Sequence, residues 1–257
     1  MGNDRSRFLG LFSLANPLKR IERALRAPHI VPLRDLLSFH QSLRHLRGDV
    51  DRLTALTSSE MVARLSVLDH KEQPDQCDWA ERAAPWRLRL APQAYLDFAS
   101  PLSLGTGVSM FHDANNADLC LRQTRRHGHK TDAAYGLVLE VYRFDGSFIS
   151  MVQDLSWDAL HGLSLGHCFR VQLTLDRERP IEIYARLNIQ HGPNHEKLVR
   201  QFAFDKGQAI AEFDLAYSKI NEKRIEKAWV DLILEGPEMN RIAIWDMVMS
   251  RAPRADF

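Results

Sequence analysis

A chain of 257 residues with 45% hydrophobic and 26% charged side chains can bury a large core, and its composition excludes a disordered or fibrous protein. A formal net charge of +1 gives no global attraction to nucleic acid, and the lack of any run of about 18 apolar residues excludes a membrane-spanning helix. Three widely separated cysteines, Cys77, Cys120 and Cys168, make no Cys-x-x-Cys pair for zinc; their odd number, with Asn16, Pro17, Lys19 and Arg20 interrupting any apolar leader, points to a reducing, cytoplasmic compartment.

In chain order, residues 8–27 open with Phe8, Leu9, Leu11, Phe12 and Leu14. A helix then starts at Asn16-Pro17, with Leu18, Ile21 and Leu25 on one face and Lys19, Arg20, Arg23 and Arg26 elsewhere. Asn as a cap and Pro in the first turn are helix-start chemistry, and the basic amphipathic run is compatible with peripheral contact with an anionic membrane surface as well as with docking on protein. A second helical pattern runs from Leu33 to about Leu56, carrying Leu36, Leu37, Phe39, Leu43, Leu46, Val50 and Leu53. Its spacings of three, four and seven suit stacking on a neighbour or homo-oligomerisation, and Gly48 weakens its middle by about 1 kcal/mol relative to alanine. Residues 1–68 are therefore expected as an N-terminal helical segment and the polar, period-free stretch 69–85 as a linker.

From residue 86 to 257 the period becomes two. Trp86, Leu88 and Leu90 alternate with arginines; strand patterns follow at Gly107–His112 and Asp118–Thr124, then a basic polar loop from Arg125 to Asp132. Leu137, Leu139 and Val141 share one side of the next strand. The Asp145-Gly146 pair predicts a tight hairpin into Ser147–Asp154. Cys168–Asp176 and Ile181–Gln190 come next, then Lys197–Phe204 and Ala209–Leu215 joined at Lys206-Gly207, and finally Lys227–Glu235 and Arg241–Ser250. About ten strands without alternating helices predict a mainly β fold, a two-sheet antiparallel jelly-roll sandwich.

Three sets of residues are candidates for chemistry. His191-Gly-Pro-Asn194-His195-Glu196 has metal-ligand residue types, but Gly192 and Pro193 forbid the helical turn that would align the two imidazoles; the segment reads as a rim loop in which His191 and Asn194 contact backbone or ligand, and no metal is expected. His112-Asp113 and His127-x-His129 form a second group, the latter among Arg125, Arg126 and Lys130; this run reads first as a solvated basic loop, and as a binding site it would suit an anionic sugar, phosphate or head group. Among the tryptophans, Trp157 sits in a loop as a surface platform, whereas Trp229 and Trp245 lie in strand patterns and are expected in the core. Asp145, Asp154, Asp158, Glu182, Asp214 and Asp231 supply carboxylates that could pair for glycoside hydrolysis. No phosphate-cradling loop, dinucleotide fingerprint or Gly-x-Ser-x-Gly elbow occurs, so no cofactor is expected.

At Phe144-Asp145-Gly146-Ser147-Phe148, Ala185-Arg186-Leu187-Asn188-Ile189-Gln190-His191-Gly192-Pro193-Asn194 and Asn221-Glu222-Lys223-Arg224-Ile225-Glu226-Lys227-Ala228-Trp229, the chain resembles a family of alphaproteobacterial proteins of unknown function. The resemblance implies a bacterial origin and brings no activity. The order of strands is similar to that of galactose-binding-like and carbohydrate-binding jelly rolls, a likeness of architecture only. The expected function is a non-catalytic β-sandwich binding module for a glycan or another polar or anionic small ligand, with Trp157, His191, Asn194, Arg125 and Arg126 at its site. The alternatives are a polysaccharide-active enzyme with paired carboxylates and a structural, interacting subunit of a bacterial assembly.

Overall fold

The computed structural model describes residues 33–68, 77–105, 107–126, 133–205 and 207–254. The amphipathic run expected at residues 8–27 lies outside them, as do His127, His129 and Lys130. The chain divides into two compact units, Met1–Leu56 and Thr57–Phe257. Helix α1, Leu33–Leu68, runs farther than the apolar spacing suggested. It contains no proline, and Ser42 and Thr54 direct their hydroxyls to the carbonyls of Ser38 and Val50 one turn back, so polar side chains on α1 do not interrupt it. Leu33, Leu37, Val50, Leu53 and Leu56 are exposed along α1. No helix among the described residues is long and apolar enough to cross a membrane.

The second unit is built from strands. β1 (Trp79–Arg82) lies inside the stretch expected as a linker and pairs with the last strand, Trp79 opposite Arg251 and Arg82 opposite Val248. No strand forms where one was expected at Trp86–Leu90; a single helical turn, α2 (Ala84–Arg87), and irregular chain occupy that stretch. Pro85 has no amide hydrogen to give to a ladder but is tolerated in a first helical turn. The apolar alternation was real in its burial but not in its backbone. Trp86 is fully buried and its indole N–H donates to the Ile244 carbonyl (2.8 Å), while buried Gln123 accepts from the Leu90 amide and donates to the carbonyls of Pro85 and Leu88.

The remaining strands are β2 (Ala94–Leu96), β3 (Leu102–Gly105), β4 (Val108–His112), β5 (Ala117–Arg125), β6 (Tyr135–Phe144) and β7 (Phe148–Asp154). A short helix α3 (Trp157–Leu160) precedes β8 (His167–Arg177), β9 (Glu182–His191), β10 (Asn194–Gln201), β11 (Ala203–Asp205), β12 (Gln208–Asp214), β13 (Ile225–Glu235) and β14 (Asn240–Pro253). They form two antiparallel sheets. The eight-stranded sheet has the order β11-β12-β8-β14-β6-β5-β2, with β1 on the distal half of β14; the six-stranded sheet has the order β10-β9-β13-β7-β4-β3. Between them lies one core, in which Ile183, Leu187 and Ile189 of β9 and Val230 and Leu232 of β13 join Phe169, Val171 and Leu173 of β8 and Ile242 and Met247 of β14. The chain is thus the expected two-sheet β sandwich preceded by a helix.

Two connections differ from the sequence reading. β6 belongs to the eight-stranded sheet and β7 to the six-stranded one, so Asp145-Gly146 turns a corner between sheets and does not close a hairpin. Asp113 accepts from the amides of Ser147 and Phe148 and from the Ser147 hydroxyl, and Asp145 accepts from the amides of Asn115 and Asn116. A Cβ on Gly146 would collide with the Asp113 carboxylate and stand 2.7 Å from the Ala114 nitrogen. Glycine is required there for close approach, not for a left-handed backbone. The run expected as one strand, Lys197–Phe204, likewise divides at buried Phe202, whose amide donates to the Ile183 carbonyl (3.0 Å), as the chain passes from β10 in one sheet to β11 in the other. β11 and β12 then pair as a hairpin with Gly207 at φ +81°.

Candidate binding face

The residues singled out from the sequence fall on separate elements. Trp157 begins α3 and is 67% exposed, its ring 6.5 Å from that of His161. His191 is the last residue of β9, not part of a loop, and is buried; its Nδ1 accepts from the Asn221 amide, so it serves the fold and is closed to a ligand. The physical reason is the tightness of the turn, where Gly192 (φ +61°) and Pro193 connect His191 directly to its cross-strand partner Asn194, which is exposed. Arg125 ends β5 in the eight-stranded sheet and is exposed, and the Arg126 guanidinium lies 5.8 Å from the Trp245 ring centre. The five are therefore divided between the two sheets and α3. His112 packs between the rings of Phe98 and Phe144, and its Nε2 is 3.0 Å from the Phe98 carbonyl oxygen, which makes it a packing residue. Among the described residues no group of three or more His, Cys, Asp or Glu could hold a metal.

The polar phase of the six-stranded sheet makes a different surface. Along β9 the side chains turned from the core are Glu182, Tyr184, Arg186, Asn188 and Gln190; along β13 they are Lys227, Trp229, Asp231, Ile233 and Glu235. Register places Asn188 beside Trp229, Arg186 beside Asp231, Tyr184 beside Ile233 and Glu182 beside Glu235, with Asp154, Val152, Ser150 and Phe148 of β7 continuing the same rows. Trp229 and Trp245, expected in the core, are only half-buried because each falls on the outward phase of its strand.

At the centre of this face the Arg186 Nε donates to Asp231 Oδ2 (2.6 Å), and the Asn188 amide donates to the same oxygen (3.1 Å). Asp231 is 2% exposed and Asn188 1%, although both lie on the side of the sheet away from the core. A carboxylate so placed is tolerable only because a guanidinium and an amide satisfy it. On one side of this centre, Lys227 sits 3.0 Å from Asp154 Oδ1 and 5.5 Å from the Trp229 ring centre, and the His195 ring meets Trp229 edge-on at 5.4 Å. On the other side is a cleft of about 450 Å3 lined by Ser147, Phe148, Ser150, Arg186, Ile233, Glu235 and Gly236. Beside it Tyr184 donates to Glu182 (2.6 Å); that hydrogen bond, then burial, then the charges of Glu182 and Glu235 push the phenol up to about 12.

The carboxylates considered for acid–base chemistry are spread out. Asp231 and Asp154 are in ion pairs on this face, and Glu182 stands at the cleft's edge. Asp145 holds the inter-sheet corner, Asp214 caps a 3-10 turn through the Ala216 amide, and Asp158 lies in the first turn of α3. Arg186, Asn188, Tyr184 and Ser150 were not singled out from the sequence, and Asp231 was considered only as a carboxylate for acid–base chemistry. The unbroken polar phase Glu182-Tyr184-Arg186-Asn188-Gln190 was the available signal, but without register it has no partner strand.

A family model described as "Family of unknown function (DUF6478)" matches residues 1–257. The chain belongs to this family. No curated protein matches the DUF6478 chain. Among solved structures it is similar to the enzymatically active domain of tailspike protein 4 of bacteriophage CBA120, at 8% identity and a TM-score of 0.39, over 56% of this chain and 19% of that one. It is similar to the family 11 carbohydrate-binding module of Clostridium thermocellum, at 11% identity and a TM-score of 0.38, over 63% and 97% of the two chains. A third likeness is to a cyclase from Fischerella sp. TAU, at 8% identity and a TM-score of 0.39, over 69% and 100%. The DUF6478 chain thus spans about a fifth of the tailspike domain, and the three likenesses do not bear on what it does.

Proposed function

We propose that this protein is a non-catalytic carbohydrate-binding module whose ligand lies across the outer face of the six-stranded sheet. The observation that carries the reading is the Arg186–Asp231–Asn188 network, held buried on a non-core face between half-buried Trp229 and an open cleft. Sugars present hydroxyls around their edges and apolar C–H faces, so fixed polar groups flanked by aromatic rings suit them. Such groups lose no freedom when a ligand arrives. Trp157 and Asn194, both exposed, are available as further contacts, and Arg125 and Arg126 are assigned to the other sheet's surface. Self-association through α1 belongs to the same reading and is supported by exposed Val50, Leu53 and Leu56.

Calorimetric titration of the full chain with an oligosaccharide panel tests the proposal. At least one oligosaccharide is expected to bind, and Trp229→Ala to weaken that binding about fivefold, the factor for about 1 kcal/mol of ring contact. No binding across the panel, or binding indifferent to Trp229→Ala, Arg186→Ala and Ser150→Val alike, removes the reading.

A further inference from the structure

The cleft beside the Arg186–Asp231 pair has an unbalanced charge. Arg186 is the cation in its lining, and its guanidinium is committed to Asp231 through two nitrogens. Glu235 lines the cleft, and Glu182 is its cross-strand partner on the neighbouring strand. Both are exposed, and neither has an ion-pair partner among the described residues; Glu182 accepts only the Tyr184 hydroxyl. Like charges directly opposite on adjacent strands destabilise a sheet, so this pair has a cost that a bound cation would relieve. A second and independent feature points into the same space. Ser150 is 95% buried by its 5% exposure, lines the cleft, and its hydroxyl makes no hydrogen bond among the described residues. A hydroxyl that has no protein partner and opens onto a cleft from an otherwise buried residue is available to a ligand placed there.

We infer that the cleft takes a saccharide carrying a free amino group, with its ammonium set between Glu182 and Glu235 and a ring hydroxyl on Ser150. This rests on the carbohydrate-binding reading and narrows it to amino sugars. A volume of about 450 Å3 is that of a pocket for a small organic ligand, far more than a bare ion fills. A divalent metal is disfavoured by the number of donors, since two carboxylates do not make the six to eight oxygens of calcium, and by the guanidinium in the wall. Phe148 and Ile233 supply the apolar wall against which a sugar ring can lie.

The experiment is calorimetric titration of the full chain with three tetrasaccharides of the same linkage: β-1,4-linked glucosamine, its fully N-acetylated form, and cellotetraose. Glucosamine tetramer is expected to bind at least tenfold more tightly than the other two, a factor of the size that charge-assisted hydrogen bonds supply. Raising the salt should shrink that preference, and Glu235→Gln and Glu182→Gln should each erase most of it. Both glutamates are exposed, so an unchanged melting temperature will show that the variants are folded. Equal affinity for the three sugars, or a preference for the acetylated one, overturns the amino-sugar inference and leaves the carbohydrate reading standing. Absence of binding to all three and to the wider panel overturns both. Calcium binding that is lost in Glu235→Gln, with no preference for the amine, overturns it in favour of a metal site.

Discussion

Removing Arg186 isolates the interaction on which the candidate face is built. Arg186→Ala leaves Asp231, 2% exposed, with only the neutral Asn188 amide on its Oδ2. Breaking a fully buried ion pair by deleting one partner costs about 3–5 kcal/mol, because the other charge stays buried and uncompensated. Here the Arg186 side chain is 39% exposed, so water already screens its end of the pair and will follow into the vacated space. The expected loss is therefore about 2 kcal/mol, or a fall in melting temperature of about 4–8 °C for a unit of this size. Guanidinium unfolding of Arg186→Ala, Asp231→Ala and the double variant completes the test. The double variant should be more stable than the sum of the single losses implies, by about 1 kcal/mol or more, since the pair is then removed together. A loss below about 0.5 kcal/mol for Arg186→Ala, or strict additivity, refutes the argument that this pair is what allows a carboxylate to be buried on the open side of the sheet.

Gly146→Ala should lower stability by about 2 kcal/mol, since its methyl group collides with the Asp113 carboxylate and the Ala114 backbone at the inter-sheet corner; an unchanged melting temperature would mean that the corner is not packed as described. A pH effect follows from Asp78, whose burial raises its pKa but is outweighed by the hydrogen bond and charge of Arg251 and by His167, leaving the carboxyl below its ordinary value. A depressed folded pKa contributes stability that is complete above the unfolded value of about 3.9 and is lost as pH falls through the folded one. Asp78→Asn should accordingly flatten the acid limb of the stability curve below about pH 4, relative to the parent chain. An acid limb of identical slope in the two proteins would show that Asp78 titrates alike folded and unfolded.

The two-residue rhythm after residue 86 determined the strands, because alternate side chains on a strand face opposite sides and only one side can be dry. It marked Ile183, Leu187 and Ile189 as core and made Glu182, Tyr184, Arg186 and Asn188 the wet phase. The amino-acid order alone was also enough for the class of fold, two antiparallel layers after a helix. Tertiary structure decided which strands are neighbours, since a turn such as Asp145-Gly146 has the same local chemistry whether it closes a hairpin or carries the chain across to the other sheet. It decided that Trp86 plugs the core from a helical turn and that His191 is sealed into a strand end. Above all it decided the candidate face. Arg186 and Asp231 are 45 positions apart, and only the register of β9 on β13 sets a guanidinium against that carboxylate. Side-chain period is a local property of a strand; partnership between strands is settled by the packing of the whole core.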